Sequence, residues 1–192
     1  MRTGLAGRTH ALTQFALLVA VAVILHVFEG LFPPPLPVPG AKVGLANIVS
    51  LICLVSLGPR SAIQLVVLRT ILASLVGGGF LGFGFLLSLV AGLGSVLAMI
   101  LLRWAGRGLF SLIGLSLFGA LVHNLTQLVM AAVIVRHWGL MAYLPYMLLG
   151  SLPAGALTGV AAHAALTARN HALDRWLGQG SGPARTAGAA AE

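Results

Sequence analysis

Nine hydrophilic side chains interrupt or flank the apolar runs of this sequence: His26, Glu29, Lys42, Asn47, Arg69, His123, Asn124, Gln127 and Arg136. Arg69 is the most demanding of them. An arginine at the centre of a membrane helix costs about 2.5–3.5 kcal/mol on insertion scales, so it must face a bundle interior or a wet cavity. It either bonds carbonyls or a carboxylate, or it meets a substrate. His123 and Gln127 stand four apart and share a helix face, with Asn124 beside it. These three either join helices by hydrogen bonds or orient a ligand. His26 and Glu29 stand three apart near the end of one helix, and Lys42 and Asn47 open the next. Gly40 and Gly44 allow the backbone to come close to a neighbour. The free N–H groups of that helix start, with Lys42, form a candidate anion seat. The blander reading of Glu29 and Lys42 is a solvated pair at the membrane interface.

Other chemistries find no residues. Cys53 is the only cysteine, and neither Cys-x-x-Cys nor His-Glu-x-x-His spacing occurs, so no metal site is expected. No Walker A motif occurs, so no nucleotide is expected to bind here and no cofactor is implied. The acidic residues are Glu29, Asp174 and Glu192. One aspartate cannot supply the clusters that hold magnesium on a diphosphate.

The elements that must position these groups follow from composition. Of 192 residues, 59% are hydrophobic and 7% charged, and mean hydropathy is +1.04. A soluble domain carries about 25% charged residues; this chain cannot cover a water-facing surface. Its net charge of +8 is spread singly between apolar runs. That pattern suits membrane topology better than nucleic-acid binding. The expectation is an all-α membrane protein, a bundle of six transmembrane helices. Predicted spans are 11–29, 41–57, 61–76, 82–102, 109–135 and 143–168, the second and third short. Residues 1–10 form an N-terminal segment and 169–192 a flexible tail. The first span resembles a signal peptide but has no clear cleavage site and is expected to remain. A stiff, proline-rich loop, 33–40, joins the first two spans and is either a lid or an inert connector.

Eight arginines (2, 8, 60, 103, 107, 169, 175 and 185) fall on one side, against Lys42 and Arg136 on the other. This bias places both termini in the cytoplasm of a bacterial inner membrane. The nine hydrophilic positions then gather in the outer half. The inner half is almost bare apart from His163, which argues against an ion channel. Small residues at Gly84, Ser88, Gly92 and Ser95, and at Ser151, Gly155 and Gly159, predict close helix packing.

Several of these segments resemble a known family. Pro39-Gly40-Ala41-Lys42-Val43-Gly44-Leu45-Ala46-Asn47 is similar to a signature of the Gx transporter family, also labelled heptaprenyl diphosphate synthase component I. So are Leu68-Arg69-Thr70, Gly119 to Asn124 with Gln127, and Tyr143-Leu144-Pro145. The likeness spans about 11–168 and extends to the substrate-binding S components of energy-coupling factor (ECF) transporters. It implies six helices and a ligand held near the outer surface under the first loop. It also implies docking of an Ala-x-x-x-Ala face, here Ala16 and Ala20, onto a membrane coupling subunit served by ATPases. The chain begins Met1-Arg2 and lacks the Met-His start of metal-ion S components. The synthase label does not make the chain an enzyme, since it lacks aspartate-rich motifs.

The resulting expectation is a non-catalytic binding subunit in contact with membrane lipid. It captures a small anion, vitamin-like or a quinone or isoprenoid precursor. Arg69 and Lys42 hold the charge, His123, Asn124 and Gln127 orient the polar part, and Tyr143 and Tyr146 supply walls. The alternative is a membrane accessory subunit of a prenyl diphosphate synthase or an electron-transfer system.

Overall fold

The computed structural model describes residues 2–31, 44–106 and 109–180. The described residues are helical and contain no strand. The helices are α1 (Arg2–Gly30), α2 (Ala46–Ser56), α3 (Pro59–Val76), α4 (Phe83–Ala105), α5 (Leu112–Val135) and α6 (Leu144–Gly180). A short 3-10 helix, Trp138–Tyr143, leads into α6. Local signals set the boundaries. Gly58, at φ 91°, precedes Pro59 at the first position of α3, where proline's missing N–H costs nothing. The Ser111 hydroxyl accepts from the Gly114 amide and caps α5.

Among the described residues, five helices are long and apolar enough to cross a membrane, and α2 is shorter. Six α-helices are present among those residues, five of them of spanning length. At 1.5 Å per residue, the 11 residues of α2 extend about 16 Å, against a hydrocarbon core about 30 Å thick. The predicted sixth span also proves longer: α6 continues to Gly180 through the stretch expected to be a tail, and α1 begins at Arg2 rather than near residue 11.

The short helix lies at the heart of the bundle. It packs against α1, α3, α4 and α6 and buries Val49, Leu51, Cys53 and Leu54. Ser95 Oγ donates to the Gly119 carbonyl at 2.8 Å, joining α4 to α5. Gly159 brings α6 so near α5 that a Cβ there would lie 2.7 Å from Ile113 Cα. The small-residue faces of α4 and α6 thus meet neighbouring helices. The outward surface is the reverse of a soluble one: Leu17, Ile24, Leu101, Leu149 and Leu157 are exposed. Hydrocarbon solvates such side chains, and the exposed Trp104 and Trp138 lie at opposite ends of the bundle, as interface-seeking rings do.

Candidate functional site

Because α2 is short, its N-terminus opens inside the bundle. The chain arrives at Gly44 with φ 87°, a left-handed conformation suited to glycine. A Cβ at Gly44 would also press on Asn47 Nδ2 at 3.2 Å. The turn then closes with the Asn47 amide donating to the Gly44 carbonyl at 2.8 Å. This fixes Asn47 in the first turn of α2, with its side chain buried.

Asn47 connects two other helices. Its Oδ1 accepts from Arg69 Nη2 of α3 at 2.9 Å, and its Nδ2 lies 3.5 Å from His123 Nδ1 of α5. Arg69 is 2% exposed. Its guanidinium lies against α4 where Gly92 leaves room; a Cβ on Gly92 would sit 3.3 Å from Nη2. The other two guanidinium nitrogens, Nε and Nη1, are buried with no hydrogen-bond partner. A buried charged donor left unmet is costly. From α1, the buried Glu29 carboxylate accepts a hydrogen bond from the Gly44 amide.

These groups surround a small hollow of about 10 Å³, lined by His26, Glu29, Asn47, Arg69, His123 and Gln127, with Gly44, Ala46 and Ser88. Such a space is on the scale of one water molecule. His26 and Ser88 also line a second, larger hollow of about 420 Å³. It opens at the same end of the bundle, between the C-terminal ends of α1 and α3 and the start of α4. Its other lining residues include Thr70, Ser74, Gly77, Gly79, Phe83 and Phe85. The volume is in the range of small-molecule pockets.

Six of the ten ligand-binding residues expected from sequence are therefore brought together. Lys42 lies outside the described residues. Asn124 turns to α6, its Nδ2 donating to the Met147 carbonyl at 3.1 Å, because it sits one residue round the helix from His123. Tyr143 and Tyr146 are 37% and 63% exposed and line neither hollow; they flank the start of α6, away from α1 and α3. The expected anion seat also differs from expectation, since the Gly44 amide is engaged by the chain's own carboxylate. Ser88 and the 74–85 segment escaped functional notice. Their serines and glycines read as packing and helix stops, although their density was a signal. Among the described residues no group of three His, Cys, Asp or Glu gathers as metal ligands.

Six of the nine residues meeting here come from three separated segments that carry the family likeness: Gly44, Ala46 and Asn47, Arg69, and His123 with Gln127. The family model for heptaprenyl diphosphate synthase component I matches residues 18–165. The chain belongs to that family. The family's name describes one component of a synthase, which fits a non-catalytic membrane subunit. Curated proteins and solved structures give no match. In this component I chain the matched region contains the whole of α2 to α5 and both hollows.

Proposed function

We propose that this chain is the substrate-binding subunit of a transporter of the energy-coupling factor kind, capturing a small anionic ligand. The observation that carries this reading is Arg69. Its guanidinium is held in the bundle with two donors unmet and lines the small hollow, which shares His26 and Ser88 with a hollow large enough for a small organic molecule. A ligand oxygen at Nε and Nη1 would relieve that cost. His26 and Ser88 line both hollows, and the glycine-rich 77–84 segment with Phe83 and Phe85 would form the wall for the ligand's body. The ligand class is a vitamin-like or quinone- or isoprenoid-precursor anion. Half-helix N-termini serve anionic substrates in this way in other transporters. Both termini are cytoplasmic, and Ala16 and Ala20, exposed on α1, dock on a coupling subunit. ATP is hydrolysed on other chains.

Gentle purification followed by native mass spectrometry tests this. A retained small anion in the wild type, missing from Arg69→Ala, is the expected result, with ATP-binding subunits co-purifying. The family's name favours a second reading, an accessory membrane subunit of a prenyl diphosphate synthase. Recovery solely with a soluble prenyl synthase, and no bound anion, would establish it in place of transport.

A further inference from the structure

A carboxyl group of the chain stands at the start of α2. The Glu29 carboxylate, in the last turn of α1, takes the Gly44 amide just ahead of α2. Glu29 is 9% exposed and lines the same narrow hollow as Arg69. Arg69 nevertheless keeps Nε and Nη1 without a hydrogen-bond partner. Among the described residues, the other titratable groups facing this space are His26 from α1 and His123 from α5, while α4 contributes Ser88.

Charge balance then restricts how a ligand can enter. An anion reaching Arg69 beside an ionised Glu29 would set a second negative charge close to the carboxylate, in a place shielded from water. Like charges at such range are strongly repulsive. The hollow of about 10 Å³ also has no volume for a ligand group while Glu29 stays where it is.

On the reading that Arg69 receives an anionic ligand, we propose that Glu29 is a built-in placeholder for that ligand's anionic group. Its carboxylate holds the seat at the α2 N-terminus while the site is closed. An incoming carboxylate or phosphate takes over the seat as Glu29 swings toward the larger hollow, whose lining already includes its α1 neighbours His26 and Gly30. The site thereby keeps Arg69 and the helix start compensated when empty, and admits a ligand that competes successfully with an internal carboxylate.

Glu29→Gln tests the charge alone, since glutamine retains an oxygen for the Gly44 amide. Glu29→Asp keeps the charge and shortens the chain. The purified full chain is titrated calorimetrically with benzoate, phenyl phosphate and neutral benzamide, thermal melts establishing that each variant is folded. Glu29→Gln is expected to bind one of the two anions about tenfold tighter than wild type, the scale of one charge-assisted hydrogen bond. Whichever anion gains identifies the headgroup class. Glu29→Asp and benzamide should show no such gain, and Arg69→Gln should bind neither anion. Equal anion affinity in wild type and Glu29→Gln, still lost in Arg69→Gln, overturns the placeholder and leaves the anion site standing. Undiminished anion binding in Arg69→Gln overturns the underlying reading. A gain for benzamide equal to that for the anions, or no anion binding by Glu29→Gln, also overturns the placeholder.

Discussion

The two ends of α2 use arginine in opposite ways. At the C-terminal end, Arg103 Nη1 donates to the Leu54 carbonyl at 3.1 Å, and Arg169 Nη1 donates to Ser56 Oγ at 2.8 Å. Both arginines are exposed, and positive charge suits the negative end of a helix. They fasten the short helix to α4 and α6 at little cost, because water or lipid headgroups can solvate whatever the helix leaves unmet. At the N-terminal end Arg69 is 2% exposed, held by a side chain rather than by helix carbonyls, with two nitrogens unmet. A fastening is satisfied without a guest, whereas a receiving site retains an unmet donor. The same residue type therefore has two meanings, set by burial and partners.

This contrast can be broken or sharpened by substitution. The largest effect is expected from Arg69→Ala. It removes the cation that bonds Asn47 and lines the same hollow as Glu29, breaking a buried polar cluster at a loss of about 3–5 kcal/mol. A melting temperature in detergent equal to wild type would show that Arg69 does not hold this buried cluster together. Gly92→Ala comes next. Its Cβ would lie 2.9 Å from Val66 Cγ1 and 3.3 Å from Arg69 Nη2. Overpacking of this kind costs about 1–3 kcal/mol, and the shifted guanidinium should weaken anion binding along with stability. Unchanged anion affinity would show that the guanidinium's position is not critical.

Arg103→Ala, at the other end, should cost about 0.3–1 kcal/mol, the usual worth of a cation near a helix C-terminus. It should leave anion binding untouched; a loss of binding would link the two ends. The smallest effect on the isolated chain is expected for Ala16→Leu, at an exposed position. Its melting temperature should match wild type while the yield of complex with a coupling subunit falls. Normal yield would remove this α1 face from docking.

Much of this was legible before any coordinates. Arg69, His123, Gln127 and Glu29 stood out because a polar group in an apolar run must have a reason. The short second span was visible too, between the prolines and Gly58-Pro59. Its depth was not visible, because hydropathy reports composition rather than position in the bundle. Asn124 was grouped with His123 by adjacency, yet one step round a helix sends it to α6. The hollow lined by 74–85 was hidden, because glycine and serine are also the ordinary residues of close packing and helix ends.

The sequence by itself determined the membrane class, the near-positions of the helices and the identity of the expensive side chains. Those properties are local: they depend on runs of apolar residues, on glycine and proline punctuation, and on the cost of single charges in hydrocarbon. Tertiary structure alone decided that Asn47 would meet Arg69, 22 residues on, and His123, 76 residues on. It also decided that Glu29 would sit at the start of α2. Those meetings depend on how deep a helix of 11 residues is set among longer ones. That depth is fixed by packing on four neighbouring helices at once, which no local pattern encodes.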